Sequence, residues 1–499
     1  MQLRELLTAL KSIQSVGGAF RDAPVSSVVS DSRRVTPGSL FVALRGREAD
    51  GHRHVREAIR RGAAAVVLET APDADPSLPC FLVPDSREAE ALLQSRFRGD
   101  PASAMRVFAV TGTNGKTSTT AILASILRAA GRQTGTIGTL GKTGGEDGSF
   151  PEGGSSVSGK AAAMTTPDPE ILYGTLASFR DAGLTDVVLE ASSHAIVQKK
   201  LAAIKPDFAL FTNLSPEHLD YHGTMERYLA AKAALFVSAK RAVVSTASPY
   251  GERLLSLICC PAVRCGCEPA DDYRMTDLAE RPDGCRFRLT APEGAIDVET
   301  AIPGRFMAEN AALAAAAAWE AGVPPAAIAE GVAACRAVPG RMETVSDGIP
   351  RPYTVMIDYA HTPDALRALL MTARRFTRGR LIVLFGCGGD RDQTKRPVMG
   401  AVAGSLADVT ILTSDNCRTE SPGTILSDIL AGFPPSALHE VIVDRAEAIR
   451  RAVSLCEDGD VLLLAGKGHE KYEIDNAGKH PFDETAAALS AMREHDGKR

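Results

Sequence analysis

The chain has 499 residues, more than one hydrophobic core holds and a length that divides into about three domains. With 44% hydrophobic and 23% charged residues and a formal net charge of -5, it has a soluble globular composition without the basic excess of a nucleic-acid binder. No apolar run is long enough to span a bilayer, and the amphipathic start Met1-Gln-Leu-Arg-Glu-Leu-Leu-Thr8 has no basic-then-apolar signal pattern. A cytoplasmic protein with no nucleic-acid partner and no membrane insertion is therefore expected.

Residues 1–101 read as a small α/β domain. Ser30-Asp31-Ser32-Arg33 is a polar turn, a Pro37-Gly38 turn leads into the strand-like Ser39–Leu44, and Gly46–His52 is a second polar loop. His54–Arg61 reads as a helix ended by Gly62, and Ala63–Glu69 as a strand. A short linker of proline and small residues then opens a central domain, 102–337. Its first element, Arg106-Val-Phe-Ala-Val-Thr111, is an apolar run of β-formers. Gly112-Thr113-Asn114-Gly115-Lys116-Thr117 follows as a loop, and Ser118–Ala130 reads as a helix. That order is the grammar of a phosphate-binding loop, in a shortened form with Val110 at the position of the usual first glycine. Gly141–Lys160, rich in Gly and Ser, reads as a mobile excursion.

Beyond it, strands at Thr185–Leu189, Phe208–Thr212 and Arg241–Ser245 alternate with helices at Asp168–Ala182 and Met225–Ser238. This alternation predicts a mostly parallel, doubly wound sheet, in which ligands collect at the carboxyl ends of strands. After Val338-Pro339-Gly340-Arg341 the pattern restarts. Strands at Tyr353–Ile357, Leu381–Phe385, Val409–Leu412 and Val461–Ala465 and helices at Asp364–Phe376, Arg396–Ala407 and Ala446–Cys456 make a third, Rossmann-like α/β domain, 338–499. Its loop Gly386-Cys387-Gly388-Gly389-Asp390 is a weak dinucleotide signal, and no acidic residue is placed for a ribose. The ten cysteines are scattered except for Cys259, Cys260, Cys265 and Cys267, whose spacing is not a usual zinc arrangement; reduced thiols are expected.

The residues themselves point to an ATP-type triphosphate on Gly112–Ser118. Lys116 would balance phosphate charge and the Thr117 hydroxyl would reach Mg²⁺. Glu190, just past a strand, reads as a Mg²⁺ ligand or as a solvated strand end; His218 reads as a ligand of a divalent ion or as a loop histidine. Lys232 alone reads as an ordinary helix lysine. Arg341 stands at the junction of the last two domains, where closure would bring it to phosphate.

Several motifs together resemble the Mur ligases, ATP-dependent amino-acid-adding enzymes of peptidoglycan precursor synthesis. They are T-G-T-N-G-K-T at 111–117, E-A-S-S-H at 190–194, T-N-L-S-P-E-H-L-D-Y-H-G at 212–223, P-G-R at 339–341 and D-Y-A-H-T-P-D at 358–364. D-S-R at 31–33, D-G-H at 50–52, F-G-C-G-G-D-R-D at 385–392, K-R-P at 395–397 and G-K-G-H-E at 466–470 are similar to the tripeptide-forming branch. The resemblance implies that the D-glutamyl carboxylate of UDP-MurNAc-L-Ala-D-Glu is activated by ATP as an acyl phosphate and captured by the amine of a third amino acid. It implies ATP on Gly112, Thr113, Asn114, Gly115, Lys116, Thr117 and Ser118, with Asn310 at adenine and Arg341 and Asp358 as further contacts. Thr117, Glu190, His218 and a Lys232 carbamoylated by CO₂ match the Mg²⁺ positions; Lys116, Glu190, His218 and Lys232 match the catalytic ones. Ser30, Ser32, Arg47, Glu48 and Ala49 match the UDP-sugar site, and Thr165, Thr166, Ser192, Gln198 and Lys200 the rest of that substrate. Lys200 stands where arginine is frequent, keeping charge without the bidentate fork.

Asp415-Asn416-Cys417-Arg418 resembles the D-N-P-R motif of enzymes that add meso-diaminopimelate, with Arg418 on the distal carboxylate that lysine lacks. Arg391, Gly466 and Glu470 match the other contacts, Glu470 being suited to the distal ammonium. Cys417 departs from the proline that would pre-set the loop's φ. The alternatives are the same ligation with L-lysine or L-ornithine, a folylpolyglutamate synthase-like ligase, and a P-loop switch or transport ATPase. A monomer is expected.

Overall fold

The computed structural model describes residues 1–46, 50–71, 78–144, 164–281 and 283–497. The loop Arg47-Glu48-Ala49 and most of the Gly- and Ser-rich stretch, 145–163, lie outside them.

Three α/β sheets follow one another along the chain. The first has five strands in the order Gln14–Gly17, Pro79–Leu82, Ala65–Leu68, Ser39–Val42, Ser27–Val29, parallel except for the first. The third has six, in the order Glu343–Thr344, Thr354–Asp358, Val461–Ala465, Leu381–Phe385, Val409–Leu412, His439–Val441, again parallel except for the first. Its inner strands Leu381–Phe385 and Val461–Ala465 are buried throughout, as continuous apolar runs covered by helices on both faces should be.

The central sheet has ten strands. Its parallel part is Tyr273–Arg281, Ala262–Gly266, Arg241–Ser245, Phe208–Phe211, Arg106–Thr111, Asp186–Glu190 and Thr134–Gly138. One edge departs from the expected alternation. Tyr273–Arg281, Gly284–Ala291 and Gly294–Thr300 form an antiparallel meander. Their inside–outside periodicity of two marks strands with one wet face, a pattern that buried-strand reasoning passes over. At the other edge Gly141–Thr143, expected to be part of a mobile excursion, pairs antiparallel with Thr134–Gly138. The helix expected over Met225–Ser238 is regular to Ala233 and tightens to 3₁₀ geometry over Ala234–Val237.

The helix Arg305–Glu320 packs between the meander and the phosphate-loop helix Lys116–Ala129. Its run Ala311-Ala312-Leu313-Ala314-Ala315-Ala316-Ala317-Ala318 is buried all round. Small side chains let the helix approach both neighbours closely, and this fixes Asn310 beside the loop. Arg34 joins the first sheet's domain to the central one by a two-point contact with Glu170, 2.6 Å at each oxygen.

Overpacking this seam should weaken the fold. Ala315→Leu is expected to lower unfolding stability by about 1–3 kcal/mol in urea titration; an unchanged midpoint would mean the seam has slack.

Candidate active site

The carboxyl ends of the central parallel strands meet at a cavity of about 490 Å³. It is lined from one side by Thr113–Ser118, Thr139, Glu190, Asn213, Glu217, His218 and Asn310, and from the third domain by Arg341, Asp358, Tyr359 and His361. The strand Arg106–Thr111 delivers the loop, and Gly115 turns it at φ +86°, where a Cβ would run into the Asn310 carboxamide. The Asn310 Oδ1 also accepts from Thr119 Oγ1 at 3.4 Å.

Two lysines converge on one carbonyl. Lys116 Nζ donates to Gly112 O at 2.9 Å and Thr113 O at 2.8 Å; Lys232 Nζ donates to Gly112 O at 2.8 Å. Lys232 is only 1% exposed and lies 4.6 Å from the centre of the Tyr228 ring. Burial, then the charge of Lys116, push its pKa well below the ordinary lysine value. Burial likewise lowers Lys116, opposed by Glu217 and Glu190. The exposed helix lysine expected from the local sequence is thus a buried one, on a short 3.6-periodic turn whose inner face carries Tyr228, Leu229 and Lys232.

Glu190 is held at the end of its strand. Its carboxylate accepts from Thr117 Oγ1 at 3.1 Å, Thr139 N at 2.8 Å and Thr139 Oγ1 at 3.0 Å, so it is a fixed group rather than a solvated strand end. Thr166 Oγ1 donates to the Glu190 main-chain oxygen at 2.8 Å, and the Ser192 N donates to Thr166 Oγ1 at 3.1 Å. Thr165 reaches the same cluster through Thr139, with 3.2 Å between hydroxyl oxygens. His218 sits at φ +56° with its ring 4.8 Å from that of His194, and burial lowers its pKa. Among the described residues no three His, Cys, Asp or Glu side chains are grouped to hold a metal alone. The oxygen pair of Thr117 and Glu190 suits a hard cation that completes its shell with phosphate and water, as Mg²⁺ does. A buried lysine whose pKa is pushed down in this way suits reaction with CO₂.

The third domain closes the cavity. Arg341 Nη2 donates to Thr117 Oγ1 at 3.4 Å, and its guanidinium lies 4.5 Å from the Tyr359 ring centre. Gly340 precedes it at φ +67°; a Cβ there would meet the main chain of Gly468 and His469, so the P-G-R loop lies directly on the G-K-G-H-E loop. Asp358 accepts from Met342 N at 2.8 Å and Ala360 N at 2.7 Å; burial raises its pKa against Arg341 and these two donors. His361 Nε2 pairs with Glu217 across the domain boundary at 3.2 Å. Burial would raise the Glu217 pKa, but His361, His218 and Lys116 outweigh it and hold this carboxyl well below the usual range. Glu217 was legible only as a strand-end acid, and His361 only as a letter of D-Y-A-H-T-P-D. Thr139 and Tyr228 carried no motif at all.

A second group of residues gathers at the strand ends of the third sheet. Arg445 and Glu484, 1% and 2% exposed, pair at 2.6 Å, and Arg445 donates to Ser414 O and Ala465 O at 3.1 and 2.9 Å. This buried pair ties together the strand ends from which Asp415–Arg418 and Gly466–Glu470 emerge. Arg418, at φ +53°, donates through Nη1 to Gly389 O at 2.8 Å and Asn416 O at 3.2 Å. Among the described residues no carboxylate lies within ion-pair distance of it. Burial and then the charge of Arg418 lower the pKa of Arg391, opposed by Asp220 and Asp390, and the side chains of both arginines lie beside Gly388. Asn416 Nδ2 donates to Glu470 Oε2 at 2.8 Å. Cys417 is buried, with its thiol toward Ile474 O at 3.8 Å.

The residues expected at the UDP-sugar site are spread over the first domain and its boundary. Ser32 Oγ donates to Glu57 at 2.9 Å in a 3₁₀ turn capped by Asp31, and Ser30 bonds the buried Glu90 carboxyl. Gln198 ends the helix Ser193–Val197; Lys200, buried, pairs with Asp168 at 2.8 Å and reaches Met164 Sδ. The structure brings Thr165, Thr166 and Ser192 to Glu190, but it leaves Ser30 and Ser32 outside the cavity lining.

Comparison with known proteins agrees along the whole chain. Residues 24–92 match the Mur ligase family catalytic domain, 110–318 the Mur ligase middle domain, and 340–468 the Mur ligase glutamate ligase domain. Two similar relatives are named UDP-N-acetylmuramoyl-L-alanyl-D-glutamate--2,6-diaminopimelate ligase. The one from Geobacillus thermodenitrificans is 40% identical, covering 99% of this chain and 100% of its own. The one from Synechococcus elongatus is 41% identical, covering 99% of each. A solved structure of a ligase with the same name superposes with a TM-score of 0.67 at 32% identity, over 96% of this chain and 98% of that one. MurF ligase from Thermotoga maritima, in complex with ADP, shares the fold at 19% identity and a TM-score of 0.62, over 95% of this chain and 98% of its own. The chain belongs to the Mur ligase family.

Proposed function

We propose that this protein is an ATP-dependent ligase that joins diaminopimelate to the D-glutamyl carboxylate of UDP-MurNAc-L-Ala-D-Glu, in the cytoplasm and as a monomer. Full-length similarity to diaminopimelate ligases supports the reaction. The observation that carries the choice of amine is Arg418, a guanidinium near Arg391 that, among the described residues, bonds main-chain oxygens alone. Two neighbouring cations suit a substrate with a distal carboxylate, which lysine and ornithine lack. A switch ATPase would have no use for such a pocket.

In this reading 1–101 takes the UDP-sugar, 102–337 the nucleotide and 338–499 the amino acid. The acceptor carboxylate attacks the γ-phosphorus of ATP and ADP departs. The amine then attacks the carbonyl carbon of the acyl phosphate and phosphate departs. The chain contributes position and charge. Lys116 and the loop N–H groups balance the phosphates, and Arg341 approaches from the side as the domains close. Asn310 stands where it can read adenine, and Asp358 anchors the loop that carries Arg341. Thr117, Glu190, His218 and Lys232, as its carbamate, would hold Mg²⁺, which draws charge from the transferring phosphoryl group when bound. Ser30, Ser32 and the 47–49 loop, with Thr165, Thr166, Ser192, Gln198 and Lys200, take the nucleotide-sugar peptide. Lys200 is the charge nearest Asp168 and suits an acidic group of that substrate.

The direct test is mass spectrometry of the product. With ATP, Mg²⁺, UDP-MurNAc-L-Ala-D-Glu and each amino acid in turn, a new amide is expected with meso-diaminopimelate and far less with lysine or ornithine. Phosphate release independent of the dipeptide would overturn the ligase reading. Arg418→Ala is expected to reduce kcat/KM for diaminopimelate by about a hundredfold, about 2.7 kcal/mol, while leaving the KM for ATP within about twofold. Equal losses for both substrates would remove the role given to Arg418. Lys232→Ala is expected to be inactive and partly restored by millimolar short carboxylic acids; failure of every such acid would speak against a carbamate.

A further inference from the structure

The amino-acid motifs hold one buried cation that no assigned role uses. Lys467 lies in the turn between Gly466 and Gly468, both at positive φ, and its side chain is fully buried. Its Nζ donates to Tyr472 O at 2.9 Å and Asn416 Oδ1 at 3.4 Å, and lies 3.5 Å from Asp415 and 3.8 Å from Glu473. It therefore ties the loop that carries Arg418 to the segment that carries Glu470.

The hydrogen-bond directions decide what this does. Asn416 Oδ1 faces two donors, Lys467 Nζ and the Ile474 N at 3.0 Å. Reversing the carboxamide would set its NH₂ against both, so the NH₂ is forced toward Glu470, where it donates at 2.8 Å. The Tyr472 hydroxyl bonds the same carboxylate. On the other side of the loop the Arg418 N donates to Ile474 O at 3.0 Å. Lys467 and the Ile474 N together orient this amide, and Lys467 also binds Tyr472 O, so the lysine braces the spacing between a carboxylate and a guanidinium from both sides.

We infer that Lys467 is a positioning residue that sets stereochemical discrimination at the distal carbon of the incoming diamino diacid. This rests on the reading of the amine site given above. The distal carbon of diaminopimelate carries an ammonium, a carboxylate and the chain. Telling its two configurations apart needs an anion and a cation held at fixed separation, with the chain as third point. Glu470 and Arg418 are that pair, and the Lys467–Asn416 link is what keeps them in register. Lysine has no distal stereocentre and no distal carboxylate, so its use depends on this register far less.

The test compares kcat/KM for meso- and L,L-diaminopimelate in the wild-type protein and in Lys467→Met. The double variant Lys467→Met/Glu473→Gln is measured in parallel, because it also removes a half-buried negative charge that the first change leaves uncompensated. The meso-over-L,L ratio is expected to fall about tenfold or more in a variant that folds, with the KM for ATP unchanged and the weak use of lysine altered by about twofold at most. An unchanged ratio would overturn the inference, as would equal losses for both isomers, lysine and ATP, which mark a purely structural role. A wild-type protein that used neither isomer would defeat the functional reading instead.

Discussion

The organisation of the central site follows from two lysines that share one main-chain oxygen. Lys116 and Lys232 both donate to Gly112 O, and Arg341 reaches the adjacent Thr117. Around these groups the site sets carboxylates, among them Glu190, Glu217 and Asp358, each committed to hydrogen bonds of its own. Charges of both signs held this close are costly inside a protein unless hydrogen bonds satisfy each of them. The chain tolerates them because every cation is tied to a main-chain oxygen, a hydroxyl or an aromatic face. Burial, and then the charge of Lys116, lowers the pKa of Lys232, which favours reaction with CO₂ over a spectator role.

Charge also explains how the domains are coupled. The third domain contributes Arg341, Asp358 and His361 from two loops, and the P-G-R loop rests on the G-K-G-H-E loop without room for a side chain at Gly340. Tyr359 stands between them, its ring 4.5 Å from Arg341 and 5.1 Å from the His469 ring. The loop that carries Arg341 is thus in direct contact with the turn that carries Lys467 and Glu470.

The parts legible in the sequence are those whose chemistry is local. A β-run, two glycines and Lys-Thr specify the phosphate loop within a dozen residues, and the buried apolar strands of the third domain announce themselves by composition. Resemblance added the distant members, such as Asn310 and Asp358, which no nearby pattern identifies. What stayed hidden depends on tertiary packing. The meander of 273–300 alternates like any exposed hairpin and gives no hint that it extends a parallel sheet. Lys232 reads as exposed until the helix is rotated onto Tyr228, and Lys467 reads as a turn lysine until Asn416 and Tyr472 arrive from elsewhere. The alanine-rich helix declares its burial but not its neighbours.

Cys417 shows where rigidity can come from when a ring is missing. The loop around it is gripped by Ile474, which receives the Arg418 N–H and gives its own N–H to Asn416. Ile474 belongs to the two-stranded ribbon Tyr472–Asp475 and Gly478–Pro481, attached to neither side of the main sheet. A proline would have made the loop stiff by covalent geometry, whatever its surroundings. Here stiffness is borrowed through hydrogen bonds from a separate two-stranded ribbon, so any change that unzips the ribbon also loosens the loop around Cys417.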